Sequence, residues 1–482
     1  MSTQVAVLIL YCLALVGLAV WSRKETHSLA GYFLAGKKLP FWVVAFSANA
    51  TGGSGWMLLG LTGMGYAVGA KAYWIPVGQI LGLTFSWLLI SRRLKKFGDE
   101  TDSITIPDVL AAKFDDRLHL IRGIAVVIIV FMVTAYVTAQ MVATGKAFSS
   151  FIGWDYRVGV VVGSIFIIGY TLVGGFKAVS YTDVVQGVLM LLGLTVVPFV
   201  AVQAAGGWGE MAATLNAQDP GFLDMFAFAS GGAAEWIAVA GFVGIGLPYL
   251  GVPQMLIRYM SARDDDEVRK ARTTSVLVMI GYTVGAVTAG IAGRALMPGI
   301  DDQENIFPLL ANELFPAVIA GMLLVVVLSA IMSTVDSLLL LSSSAVVRDT
   351  MQKIVGSDRS DEQLAFIGKL TTLAIGIVAL ALAVPEARFI FWFVLFAWSG
   401  LGAAFGPVTL CLLHYRKVTR EGIIAGMLGG FLVSVVWVQF FKAQYHGLYE
   451  AIPGFLAGLV LAWGVSALTY RESDGETPEH HA

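Results

Sequence analysis

From residue 317 to residue 347 the chain carries a single charged side chain, Asp336. A helix needs about 20 predominantly apolar residues to cross the hydrocarbon core of a bilayer, so a run this long and clean reads as a membrane span. The pattern recurs along the whole sequence. Breaking it at charged residues and Gly/Pro clusters gives thirteen candidate spans, at 5–21, 41–69, 72–91, 120–148, 158–176, 182–205, 235–258, 273–298, 317–347, 369–385, 389–414, 420–442 and 451–470. Charged residues make up 13% of the chain, roughly half the share of a soluble domain. The expectation is an all-α polytopic membrane protein. The first span has no basic residue before it and no small-residue cleavage site after it, and reads as a retained helix rather than a signal peptide.

Basic residues orient the spans. With the N-terminus outside, the 31 Lys and Arg fall at cytoplasmic ends, all but Lys71, Lys146, Arg157, Arg294, Arg388 and Lys442. This is the positive-inside pattern, and it puts the C-terminus in the cytoplasm. Arg258 and Arg263 belong to the count and read as topology markers. The expected location is a plasma membrane, the bacterial inner membrane. A net charge of −2 gives no basis for a nucleic-acid partner. Cys12 and Cys411 lie in separate apolar spans and read as small core residues. The histidines show no metal-ligand spacing.

Two spans are interrupted. Span 2 contains SANATGGSGW at 47–56, and span 7 contains GIGLPYLGVP at 244–253. Glycine is a poor helix former, and proline removes a backbone donor from the helix interior. The two interruptions stand five spans apart, so they cross the membrane in opposite directions. That is the mark of an inverted repeat, five helices plus five over spans 2–6 and 7–11, with binding at the breaks. Irregular backbone at membrane depth is tolerated only against protein or a wet cavity. There, freed carbonyls can hold a cation and half-helix N-termini an anion. The glycines of span 2 alone would equally serve close helix packing; the prolines of span 7 go beyond what packing requires.

Span 9 supplies a partner for these breaks. Ala330, Ser333, Thr334 and Ser337 follow at i, i+3, i+4 and i+7 and share one helix face. Sodium, a hard cation, takes oxygen ligands, as the other hard cations do. Two adjacent hydroxyls with carbonyls from a broken helix would make a neutral oxygen cage. Taken alone, such a stripe would more simply bond back to its own helix carbonyls. Acidic residues within spans are rarer and costlier. Asp336 is a candidate for a second ion, for proton handling or for a salt bridge, and Asp183 opens span 6.

The segments Tyr170–Ala178 (YTLVGGFKA) and Ser180–Gln186 (SYTDVVQ) resemble the signature of the sodium:solute symporter family. The segments at 45–63 (AFSANATGGSGWMLLGLTG), 330–334 (AIMST) and 396–407 (FAWSGLGAAFGP) are similar to its proline-transporting branch. The resemblance covers nearly the whole chain, with the motifs in order. It implies a leucine-transporter-like core of a 5+5 inverted repeat, with one extra N-terminal and two extra C-terminal helices. It further implies sodium as coupling ion, with no organic cofactor. Carried over by position, the sodium site would use carbonyls of Ala50, Gly53 and Ala330 with the hydroxyls of Ser333 and Thr334. Asp183 matches an acidic position linked to coupling, and with Asp336 and Ser337 it forms the candidate set for a second ion. Substrate contacts would come from Ser54, Gly55, Trp56, Tyr136, Tyr249 and Pro253, with Gln140 and Ile245 beside them. Two positions depart from the branch: Gly52 stands where it has an aspartate, and Ile245 where it has a tryptophan.

The domain organisation expected is an extra helix and cytoplasmic loop over 1–40, a first repeat over 41–205 and an external loop over 206–234. A second repeat over 235–414, two C-terminal helices over 415–470 and a disordered cytoplasmic tail over 471–482 complete it. The function expected is sodium-coupled import of a small carboxylate-bearing solute, proline or another amino acid, by alternating access. Sodium- or proton-coupled uptake of a monocarboxylate or other organic acid is the alternative. A solute sensor is the second alternative, and would need a signalling domain or partner. No nucleophile–base constellation or cofactor loop points to an enzyme. The partners expected are the solute and the lipid bilayer, with no nucleic acid and no obligatory protein partner.

Overall fold

The structure is a computed structural model that describes residues 3–21, 29–114, 116–172, 175–227, 232–385 and 389–471. The tail expected at 471–482 lies, beyond residue 471, outside the described residues. Fifteen helices build the bundle and its two breaks. They are α1 (Thr3–Trp21), α2 (Phe41–Gly55), α3 (Thr62–Val68), α4 (Trp74–Phe85), α5 (Leu120–Ile152), α6 (Tyr156–Thr171), α7 (Phe176–Ala204) and α8 (Gly232–Gly244). There follow α9 (Pro253–Ser261), α10 (Asp265–Leu296), α11 (Ala317–Ser344), α12 (Asp361–Ala383), α13 (Ile390–His414), α14 (Arg420–Val436) and α15 (Ala451–Thr469). Connecting helices such as Ile106–Ala111, Gly207–Gln218 and Ile306–Leu314 join them. The only extended pairing among the described residues is an isolated bridge between Leu39 and Ala262.

Nine helical runs among the described residues are long and apolar enough to cross a membrane, and ten if Ala234–Leu250 and Pro253–Ser261, bent by 45°, form one span. The run Phe41–Glu100 counts once in that number although it is 60 residues long. At 1.5 Å per residue it would measure about 90 Å, roughly three times the ~30 Å hydrocarbon core. It is broken in the middle at Gly69, with φ 64°. A Cβ there would sit 2.1 Å from the Phe222 carbonyl oxygen, so both the backbone angle and the neighbour require glycine.

Two spans start earlier than their apolar stretches, because their N-caps recruit polar residues into the helix. α10 begins at Asp265 rather than 273, with the Asp264 side chain accepting from Glu267 N. α12 begins at Asp361 rather than 369, on a capping box between Ser360 and Gln363.

Similar hydropathy hides different positions in the bundle. In their most apolar windows, α11 and α13 are 83% buried inside the protein, whereas α15 is 33% buried and the run containing α14 28%. α11 is therefore the central post. It packs on α1, α2, α5, α7 and α12, while α14 and α15 pair with each other on the flank and turn apolar faces outward.

Candidate ion and solute site

The first break lies at Ser54, a non-glycine residue held at φ 54°, ψ 177° inside an otherwise helical run. The chain then continues as a π-turn over Trp56–Leu61 into α3. The second break separates α8 from α9. It consists of a single 3-10 turn, Leu247–Leu250, with Pro248 within it and Pro253 opening α9.

α11 meets the first break through its hydroxyl face. Ser333 Oγ donates to the Ala50 carbonyl at 3.1 Å and contacts the Ala330 carbonyl at 3.1 Å. Thr334 Oγ1 lies 3.0 Å from the Thr51 carbonyl and 3.1 Å from that of Ala330. Four of the five residues expected around sodium are thus gathered: Ala50, Ala330, Ser333 and Thr334. The Gly53 carbonyl instead accepts from Trp56 N–H, and the Thr51 carbonyl takes the place beside Thr334. Spacing could not single out Thr51, because only the pitch at the break decides which carbonyls face α11.

Ser337, one turn further, joins this group to a second one. Its hydroxyl donates to the Ser333 carbonyl at 2.7 Å and lies 2.9 Å from Thr51 Oγ1. It also accepts from Arg258 Nη2 at 2.5 Å. Arg258 is not a topology marker at the membrane edge, as its place in the basic-residue count suggested. It is fully buried and pairs with Asp183 Oδ2 at 3.0 Å. Ser47 Oγ donates to the same carboxylate oxygen at 2.6 Å, while Asp183 Oδ1 has no partner among the described residues.

Asp336 faces elsewhere. It accepts from Thr171 Oγ1 of α6, and its other oxygen has no partner among the described residues. No basic side chain pairs with it among those residues. Next to it, Tyr170 and Tyr11 bond to Thr182 and Ser329 respectively.

Around the two breaks an aromatic and amide-lined space takes shape. Tyr136 is fully buried close to Ser54. Trp398 of α13 sits edge-on to Tyr249 and Tyr136, with ring centroids 5.0 and 6.3 Å away. A Cβ on Gly52 would lie 3.5 Å from the Tyr249 hydroxyl, so Tyr249 of the second break stands directly over the first. Gln140 Oε1 accepts from Gly55 N–H at 2.9 Å, and Gln140 Nε2 has no partner among the described residues. Trp56 stacks on Phe391, centroids 5.3 Å apart, and its Nε1 likewise has none among those residues. Gln79 Nε2 reaches Tyr249 OH at 3.5 Å, while its Oε1 has no partner among the described residues. Pro253 and Ile245 are buried at the two ends of the second break; no polar contact draws them to this group. Gln79 and Trp398 lay outside the sequence expectation, since one amide or one indole in an apolar span carries no periodic signal.

Two ionic clusters flank this space along the helix axes. In one, Lys146 binds Glu304 at 2.6 Å and Asp302 at 2.9 Å. Glu304 also accepts from Ile390 N and Phe391 N, so it caps α13 and fixes the ring that covers Trp56. In the other, Arg122 bridges Asp108 and Asp349, and Arg348 binds Asp108 at 3.0 Å. Burial works against the charged form of Asp108, but the Arg122 and Arg348 guanidinium groups outweigh it and hold the carboxyl below its usual range.

Two interrupted spans converging on a hydroxyl-bearing helix, inside a multi-pass helical bundle, define the site of a secondary transporter. Residues 32–430 match the sodium:solute symporter family, and the chain belongs to that family. It is 37% identical over 467 residues to a high-affinity proline transporter of Bacillus subtilis, covering 95% of this chain and 97% of that one. It is 35% identical over 472 residues to a sodium/proline symporter of Staphylococcus aureus, covering 95% and 91%. Among solved structures, a sodium-coupled sialic acid symporter in an outward-open state superposes with a TM-score of 0.80. It shares 20% identity over 97% of this chain and 98% of that one. A transporter of the nucleobase-cation-symport-1 family superposes at 0.54, with 13% identity over 94% and 98%. These likenesses extend the shared fold to carriers of unlike solutes.

Proposed function

We propose that the protein is a sodium-coupled proline symporter of a bacterial plasma membrane, with its N-terminus outside and its C-terminus in the cytoplasm. The observation that carries the sodium reading is the meeting of Ser333 and Thr334 with the carbonyls of Ala50, Thr51 and Ala330. It is a neutral set of hard oxygens at a helix break, suited to a small monovalent cation. The proline reading rests on the curated relatives and on the polar groups left over around the breaks. Gln140 Nε2 and Trp56 Nε1 offer donors to a carboxylate, Gln79 Oε1 offers an acceptor to the ammonium, and Trp398 with Tyr249 and Tyr136 offers an apolar wall.

The architecture proposed is thirteen spans, with a 5+5 inverted repeat over 41–205 and 235–414. The count takes Phe41–Glu100 as two crossings, the bent pair as one, and adds α1 and α6. Sodium binding between α2 and α11 ties the first break to the central post and completes the solute site. The Lys146 cluster closes the outer side and the Arg122 cluster the inner, and they open in turn. The membrane potential supplies about 2.3 kcal/mol per charge per 100 mV. Asp336, bound to α6 on the opposite face of α11, serves to join those helices rather than to hold the coupling ion.

The test is uptake of labelled proline by the purified protein in proteoliposomes, with and without an inward sodium gradient. Accumulation that requires sodium is expected. Undiminished uptake without sodium across a range of pH overturns the coupling. Preferential uptake of a labelled monocarboxylate overturns the solute but leaves the coupling intact.

A further inference from the structure

Arg258 is the only basic side chain that is fully buried among the described residues. An unpaired charge at such depth is very costly, and even a paired one must satisfy its donors. Its guanidinium does so with four oxygens: Nε to Ser47 Oγ at 2.8 Å, Nη1 to the Gln254 carbonyl at 2.6 Å, Nη2 to Asp183 Oδ2 at 3.0 Å and to Ser337 Oγ at 2.5 Å. The Phe176 ring lies 5.5 Å from its centre. Without the guanidinium, the Asp183 carboxylate and the Ser47 and Ser337 hydroxyls would be a hard-oxygen set with one formal negative charge. That is a better cation site, by charge, than the neutral cage beside it.

We propose that Arg258 is a tethered cation that occupies this second site permanently, so that one sodium ion moves with each solute molecule. This rests on the sodium reading of the neighbouring cage. Arginine suits the role because it does not lose its proton in proteins and its planar fork serves several oxygens at once. Ser337 carries the coupling, since its hydroxyl accepts from Arg258 and donates to the carbonyl of Ser333, whose own hydroxyl belongs to the cage. The pair Arg258–Asp183 is neutral as a unit, and this is what lets a cation bind next to it.

The charges fix the sign of each variant. Asp183→Asn leaves an uncompensated guanidinium beside the cage and weakens sodium binding, raising half-saturating sodium on the order of tenfold or more. Arg258→Gln frees the carboxylate for a mobile ion, so the sodium dependence steepens and two ions move per solute. The double variant Asp183→Asn with Arg258→Gln is neutral again, and returns both single-ion coupling and a half-saturation nearer that of the parent than Asp183→Asn alone. The measurement is the sodium-to-proline ratio from reversal potentials in proteoliposomes of the full-length chain, alongside sodium activation curves. A parent ratio of two overturns the proposal even if Arg258→Gln does not fold. So does a folded Arg258→Gln protein with unchanged ratio and activation curve, or an Asp183→Asn protein with unaltered sodium dependence. Uptake by the parent without sodium would instead overturn the underlying sodium reading.

Discussion

At the first break the backbone turns through Ser54, a residue with a side chain, and the glycines around it face side chains. At the second it turns through Pro248 and Gly251, and the glycines that face it meet backbone or the Pro248 ring. A Cβ on Gly52 would have Met255 and Tyr249 at 3.5 Å, one on Gly53 would lie 2.6 Å from Met190 Cε, and one on Gly55 2.9 Å from Ile331 Cγ1. A Cβ on Gly251 would lie 2.1 Å from Gly406 N, one on Gly402 2.3 Å from Pro248 Cβ, and one on Gly246 1.8 Å from the Gly78 carbonyl oxygen. The second break is thus wedged between α4 and α13 by shape. The first is tied to α11 by hydroxyl–carbonyl hydrogen bonds. Hydrogen bonds to neutral oxygens can be exchanged for bonds to an ion; a steric wedge has nothing to exchange. The difference fits the proposed division of tasks, with ion sensing at the first break and a fixed solute wall at the second.

The sharpest way to break this comparison is Gly402→Ala. Overpacking a fitted interface costs about 1–3 kcal/mol, and here the obstructing atoms belong to a proline ring and its Cα, which cannot rotate aside. The expected result is a fall of the thermal unfolding midpoint in detergent by several degrees, with reduced uptake. An unchanged midpoint would mean that fit does not hold the second break.

Ser333→Ala with Thr334→Ala removes the exchangeable partners of the first break. The expected result is a rise in half-saturating sodium of about tenfold or more, equivalent to at least ~1.4 kcal/mol, with the unfolding midpoint little altered. The contrast with Gly402→Ala is the point: one variant moves the sodium curve, the other the melting curve. Tyr249→Phe follows with a smaller effect. Its hydroxyl reaches Gln79 at 3.5 Å, so its loss raises the KM for proline a few-fold, as expected for one neutral hydrogen bond of about 1 kcal/mol. The sodium dependence at saturating proline stays as it was. A shift in sodium half-saturation instead would mean that the two breaks do not divide their tasks.

Much of this was legible in the residues. Both breaks announce themselves, because Gly and Pro clusters weaken a long apolar helix; the glycines of span 2 would by themselves equally serve close packing, and the prolines of span 7 tip the reading. The hydroxyl face of α11 follows from helical periodicity alone, and its partner follows from the odd spacing of the breaks. What stayed hidden depends on burial and direction. Arg258 counts as one more cytoplasmic charge until the fold turns it inward onto Asp183. Asp336 sits two residues after Thr334, but that step rotates its side chain by about 200° around the helix, away from the break and toward Thr171. Thr51 rather than Gly53 presents its carbonyl to Thr334 for a related reason, since the irregular turn at Ser54 leaves the Gly53 oxygen accepting from Trp56 N–H.

The smallest expected effect tests the first break from the other side. Gly52 is helical, lies outside the positive-φ set and has ordinary contact distance around its absent Cβ. Alanine in a helix gains about 0.5–1 kcal/mol over glycine from the lower entropy of the unfolded chain. Gly52→Ala is therefore expected to leave the unfolding midpoint equal or slightly higher, and half-saturating sodium within about twofold, the residual of a methyl at 3.5 Å from the Tyr249 hydroxyl. Both quantities come from the same detergent melts and uptake curves as before. If this alanine raised half-saturating sodium tenfold, ion binding at the first break would depend on close fit at Gly52, and could no longer be ascribed to exchangeable hydrogen bonds with α11 alone.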